Sequence, residues 1–268
     1  VWKLMSIETT NKPPEWVNLV GDGPRDLFEV KLMELLGDTR LLWIPRAGDT
    51  TTSTDRSRNA FTITWDATIA ARVNDLGLGH SITFDGTNDE GDISPDSDIY
   101  SFGDGVADSP FSIVALIKPD DYGVTSVVIA KENSASAEEW RLDITSTNGY
   151  PRLFITDESA SAYIGREDQT AFGTSWGLIA ATYDGSKAAS GISLVKNGAI
   201  VDDADVTSGS YDGMENTAAL VHIGARYTTK ERFFDGDIAL VALCAKALTI
   251  DENWAIKSLI NSFYDLSL

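Results

Sequence analysis

Carboxylates dominate the groups in this chain that could do chemistry: 41 Asp and Glu stand against 21 Lys and Arg, a formal charge of −20 over 268 residues. Two carboxylates in the right geometry can split a glycosidic bond, one as acid and the other as nucleophile or base. The pair Glu138-Glu139 does not offer that geometry, because adjacent residues of a strand point to opposite faces. Asp251-Glu252 reads as the start of a helix. His80 and His222 have no metal-ligand spacing to each other or to Cys244, the single cysteine. His222 lies within Leu220-Val221-His222-Ile223 and reads as a sheet-face residue with a hydrogen-bond partner. No Gly-x-x-x-x-Gly-Lys phosphate loop occurs, and Gly103-Asp104-Gly105 lacks the following helix that a phosphate site needs. No catalytic residue is therefore assigned.

Two other chemistries remain. Loop oxygens suit calcium. Asp85 stands near Asn88, Asp89 and Asp92, while Asp235 and Asp237 flank Gly236; as sheet neighbours, Asp85, Asp235 and Asp237 would form a structural calcium site. The plainer reading has Asp85 and Asp235 bonding their own turns. No cofactor is required on either reading. Aromatic rings can also stack on sugars, and seven Trp and eight Tyr supply them. Trp43, Trp140 and Trp176 sit in strand patterns and read as core, and Trp254 fits the apolar face of a C-terminal helix. The loop residues Tyr122, Tyr163, Tyr211 and Tyr227 are the glycan-facing candidates, with ordinary loop packing as the alternative for each. So acidic a surface repels phosphate backbones, which excludes nucleic acid as an expected partner. No apolar run is long enough to span a bilayer, so membrane insertion is not expected either.

The elements that must position these groups are strands. From Leu41 onward, short β-prone runs alternate with Gly, Asp, Asn and Ser clusters. Trp140 to Ile144 alternates apolar and polar, as a strand with one wet face would. Phe111 to Ile117 is apolar at nearly every position and suits a central strand covered on both faces. Asn197-Gly198 marks a tight hairpin, since both residues tolerate positive φ. Thr249-Ile250-Asp251-Glu252 is a capping box that predicts a short C-terminal helix. Leu27 to Leu36 is ambiguous: Pro24 and Gly37 frame a helix, yet Phe28, Val30 and Leu32 alternate like a strand; helix is favoured.

Several of these segments, in this order, resemble the laminin-G-like, concanavalin A-like lectin/glucanase jelly-roll superfamily. Asp55-Arg56-Ser57-Arg58-Asn59 is similar to its opening turn, and Ile82-Thr83-Phe84-Asp85-Gly86 to its Phe-Asp-Gly strand. Phe111-Ser112-Ile113 with Lys118-Pro119, Trp176 to Gly185, Val195-Lys196-Asn197-Gly198 and Phe234-Asp235-Gly236-Asp237-Ile238 resemble later signatures. The resemblance covers residues 41–268 and implies an all-β, antiparallel two-sheet jelly-roll sandwich with a short C-terminal helix. It also implies that a structural calcium is common in such proteins. Glucanases of this kind carry Glu-x-Asp-x-x-Glu on one strand; that pattern is absent, so no hydrolase activity is expected.

Residues 1–40 fall outside the resemblance and read as an N-terminal arm with a short helix. Trp2, Leu4, Ile7, Trp16, Val17 and Leu19 would be costly to leave in water, which predicts docking on a partner. The first expectation is a non-catalytic structural or adhesive protein on the surface of a virus particle, a tailed phage, as a capsid decoration or fibre-associated protein. Its partners would be a capsid or tail protein, further copies of itself, or a cell-surface glycan. The alternative is a carbohydrate-binding module of a secreted or cell-surface protein.

Overall fold

A strand that is apolar at nearly every position needs a partner on each face, and Phe111–Pro119 has both. The computed structural model describes residues 24–66, 72–95, 98–134, 136–201, 204–227 and 231–268. Among these, two α-helices and seventeen strands form an open sandwich of two antiparallel sheets. The chain begins with α1 (Pro24–Leu36), β1 (Thr39–Trp43), β2 (Thr52–Thr54), β3 (Thr62–Trp65), β4 (Val73–Leu76), β5 (Gly79–Asp85) and β6 (Gly91–Ser94). Next come β7 (Phe111–Pro119), β8 (Ser126–Ser134), β9 (Ala137–Ile144), β10 (Pro151–Asp157), β11 (Ala162–Glu167) and β12 (Gly177–Tyr183). It closes with β13 (Ile192–Lys196), β14 (Ala199–Ile200), β15 (Ala204–Asp205), β16 (Val221–Ile223), β17 (Asp235–Cys244) and α2 (Ile250–Tyr264).

The first sheet runs β14-β13-β12-β7-β17-β5-β4, with β1 also paired to β17; the second runs β15-β11-β10-β9-β8-β16-β6-β3-β2. Alternation along β7 divides its side chains between two apolar layers. Ile113, Ala115 and Ile117 enter the core between the sheets, against Trp140, Leu142 and Ile155. Val114 and Leu116 join a second cluster on the outer face, where both helices lie. The double apolar pattern thus reports a sheet with a core on one side and helices on the other.

Helix α1 belongs to that second cluster. Phe28, Leu32, Met33 and Leu36 recur at helical spacing and are buried, each contributing about 1.5–3 kcal/mol by leaving water. The Phe28 ring stacks on Phe263 of α2 at 4.0 Å. The helix favoured over Leu27 to Leu36 is thus present, and residues 24–40, grouped with the arm on sequence, carry part of the packed fold. Val1 to Gly23, with all six predicted docking residues, lie outside the described residues.

Local signals explain several joins. Asp55 Oδ1 accepts from the backbone N–H of Leu42 and of Ser57, both at 2.8 Å, and the Asn59 amide donates to the Arg40 carbonyl, so the Asp-x-Ser-x-Asn turn clamps β1. Asn197 and Gly198 have φ of 50° and 81°, and join β13 to β14. The Thr249–Glu252 capping box is complete, and Thr249→Ala is expected to lower stability by about 1 kcal/mol in denaturant titration. Trp254 departs from expectation: it is half exposed beneath the Lys257 ammonium, because the buried stripe of α2 runs through Ile256, Ile260 and Phe263.

Candidate functional site

The outer face of the second sheet carries no helix among the described residues, so its surface is made by side chains. On β9, Trp140, Leu142 and Ile144 point into the core, which sends Arg141 and Asp143 to the other face. The hairpin register then sets Arg152 opposite Asp143 and Phe154 opposite Arg141, and the next strand sets Tyr163 opposite Thr156. This face was expected to be wet. Instead Asp143 is fully buried and Arg141 nearly so, because each is covered by an opposite charge.

Arg141 donates to Asp143 Oδ2 at 2.9 Å and to Glu132 Oε1 at 2.5 Å. Arg152 grips Asp143 with two bonds, at 2.8 and 3.1 Å. Both guanidiniums lie over the Phe154 ring, at 4.9 and 4.7 Å from its centroid, and Tyr163 meets Phe154 edge-on. Arg226 stacks on Tyr227 and reaches Glu132, Glu138 and Glu231. Together Thr125, Glu138, Arg141, Arg152, Phe154, Thr156, Tyr163 and Arg232 line a cleft of about 400 Å³.

Burial and charge pull these groups apart in acidity. Burial acts to raise the Asp143 carboxyl, but Arg141 and Arg152 outweigh it and hold the group below the ordinary carboxylate range. Glu132 goes the other way: burial pushes it up to about 7 despite Arg141, with Glu138 adding to the rise. Because its folded value exceeds the unfolded one, near 4.5, the native state binds the proton more tightly. The resulting stability is present below the unfolded value and is lost as pH rises through about 7. Melting temperature is expected to fall between roughly pH 5 and pH 8 more steeply in the unmodified protein than in Glu132→Gln, by circular dichroism.

The other sequence candidates scatter. Asp85 and Asp235 do face each other across β5 and β17. Asp85 Oδ1 accepts from the backbone of Thr87 and Asn88, and Arg72 lies against both Asp85 and Asp89. Asp237 gives its oxygens to Thr83 and Lys118. Of the tyrosines, Tyr163 lines the cleft and Tyr227 backs it, its hydroxyl donating to Glu138. Tyr211 turns inward to share Asp108 with Tyr183, and the Tyr122 ring packs over Gly149.

Two arrangements escaped the sequence reading. His222 Nδ1 lies 2.5 Å from Asp92 and 3.8 Å from Glu90, and these three form the set of possible metal donors that the structure gathers among its described residues. Glu90 and Asp92 supply the first two places of the Glu-x-Asp-x-x-Glu pattern, but Pro95 stands third. Gly173-Thr174-Ser175-Trp176-Gly177 matches the Gly-x-Ser-x-Gly string of serine hydrolases. It leads into β12 from a loop, where a nucleophile elbow requires a strand before and a helix after.

A family model described as the concanavalin A-like lectin/glucanases superfamily matches residues 85–252. Among solved structures, the chain is similar to the botulinum neurotoxin serotype G binding domain, with 14% identity and a TM-score of 0.63 over 84% of this chain and 52% of that one. It is similar to the serotype D ligand binding domain in complex with N-acetylneuraminic acid, with 11% identity and a TM-score of 0.59 over 85% and 52%. It is also similar to the botulinum neurotoxin DC binding domain in complex with rat synaptotagmin II, with 12% identity and a TM-score of 0.56 over 84% and 52%. The chain thus spans about half the length of these structures. No curated protein sequence matches it.

Proposed function

The chain belongs to the concanavalin A-like lectin/glucanase superfamily, and from that premise we propose that it is a non-catalytic module that binds a glycan in the cleft over β9, β10 and β11. The observation that carries this reading is the cleft itself. The Tyr163 ring stands at its wall with Phe154 edge-on behind, and guanidinium and hydroxyl donors surround both. An apolar ring bordered by fixed donors suits a sugar, which presents C–H groups on one face and hydroxyls at its rim.

The absence of catalysis rests on the carboxylates. Asp143 and Glu132 are buried and committed to arginines, and the Glu90-Asp92 strand has no third acid. Module and glycan would meet outside the cell; no described helix is long and apolar enough to cross a membrane. Display on a phage particle was the first expectation and a glycan-binding module the second; the family and the cleft support the second.

A glycan array followed by calorimetry tests the reading. Binding is expected, with Tyr163→Ala weakening it up to about tenfold, the value of one aromatic contact. A polysaccharide screen should show no turnover. Binding that ignores Tyr163 would move the site elsewhere, and turnover abolished by Glu138→Gln would make the protein an enzyme.

A further inference from the structure

On a molecule with a charge of −20, the guanidiniums of Arg141, Arg152 and Arg232 line one cleft, and a fourth, Arg226, reaches Glu138 at its wall. Three of them are held by carboxylates. Arg141 and Arg152 share Asp143, and Arg226 is bonded to Glu231 at 2.7 Å. Arg232 differs. Among the described residues its nearest carboxylate oxygen, on Glu231, is 4.0 Å away, beyond hydrogen-bond reach, and that carboxylate already serves Arg226.

The backbone adds to the contrast. Arg232 has φ of 54°, in the left-handed region that costs a non-glycine residue energy, and strain of this kind gathers at ligand clamps. Its carbonyl is fixed by the N–H of Val127, so its backbone is held in place, while no described residue hydrogen-bonds its head group. Burial, with Arg226 and Arg141 close by, lowers the pKa of this guanidinium, so an anion arriving beside it relieves unfavourable charge.

We infer that the glycan bound in this cleft is acidic, and that its carboxylate or sulfate group is received by Arg232 with the free edge of Arg152. This rests on the glycan reading above and names the class of sugar. A guanidinium matches either anion with two parallel bonds, and inside a partly enclosed cleft such bonds are worth more than at an open surface. The protein's overall charge would repel acidic polymers, so the attraction must come locally, from Arg232, whose guanidinium no described carboxylate bonds.

The test titrates sialyllactose, a glucuronate-containing oligosaccharide and a sulfated oligosaccharide, each beside its neutral parent, into the protein and into Arg232→Gln. Arginine side-chain resonances are also followed while free glucuronate or glucose is added. We expect at least one acidic glycan to bind about tenfold to a hundredfold tighter than its neutral parent, the worth of one charged hydrogen-bonded contact. Arg232→Gln, melting as the unmodified protein does, should bring the ratio of acidic to neutral affinity down to about one. Glucuronate, and not glucose, should shift the Arg232 signal. Equal binding of neutral and acidic partners overturns the acidic inference and leaves the glycan reading standing. If no glycan binds and an acidic peptide alone moves the Arg232 signal, the glycan reading fails and the acidic-sugar inference with it.

Discussion

Lys131→Ala is expected to remove about 3–5 kcal/mol of folding stability, the loss seen when one partner of a buried ion pair is deleted. Lys131 has no exposed surface, and its ammonium donates to Glu139 at 2.9 Å and to the Ala219 and Thr217 carbonyls at 2.7 and 3.1 Å. Glu139 is equally buried, and burial already raises its pKa against the pull of Lys131. Without the ammonium its buried charge is left, among the described residues, to the Thr217 N–H and hydroxyl. The double variant Lys131→Met with Glu139→Gln should recover much of the loss, because neither charge is then stranded. Urea unfolding at neutral pH measures both; a single-variant loss below about 1 kcal/mol would mean that water reaches Glu139.

Trp140→Ala should cost a similar amount, about 3–5 kcal/mol, through a different cause. The indole is fully buried, donates to the Tyr100 carbonyl at 2.9 Å and lies against Phe111 across the sandwich. Its removal opens a cavity between sheets whose backbones are fixed by many strand pairs, so collapse cannot fill it. Trp140 and Lys131 are also cross-strand partners on neighbouring strands. Combining Trp140→Ala with Lys131→Ala is therefore expected to be non-additive, as contacting sites usually are. Each change alone removes a large fraction of the roughly 5–15 kcal/mol that holds a typical domain, so thermal melts should shift by many degrees.

The features legible in the sequence were those decided within a few residues. Asn197-Gly198, the Thr249–Glu252 box and the continuous apolar run of β7 each carry their own physical cause, and each gave the element found. The polar face of β9 misled because what covers a charge is not local. Arg141 is neutralised by Glu132 and Asp143, and Glu132 is itself reached by Arg226, far along the chain. Trp-Arg-Leu-Asp-Ile looks the same whether its charges face water or one another. One part could have been recovered: Asn148-Gly149 turns β9 back onto β10, and that hairpin brings Arg152 against Asp143. The same step would have put Phe154 beside Arg141 and pointed to the cleft. Arg232 gave no such signal, since a long connection delivers it. Of the four tyrosines offered, only Tyr163 lies on a strand of this hairpin region with its ring in the cleft; Tyr211 was spent on Asp108.

The ends of both sheets have a consequence for how copies of the molecule can meet. The outermost strands are β1, whose Leu42 N–H and C=O are already taken by Asp55 and Arg56, β14 and β15, of two residues each, β2, of three, and β4, whose four residues include Asn74 and Asp75. A strand that short offers too few unpaired N–H and C=O groups to template a neighbour, and a carboxylate on it repels one. Among the described residues, then, the molecule presents no rim along which a second copy could continue the ladder. Crowding many copies together, on a surface or along a fibre, should leave them as separate units that do not fuse into a common β-structure.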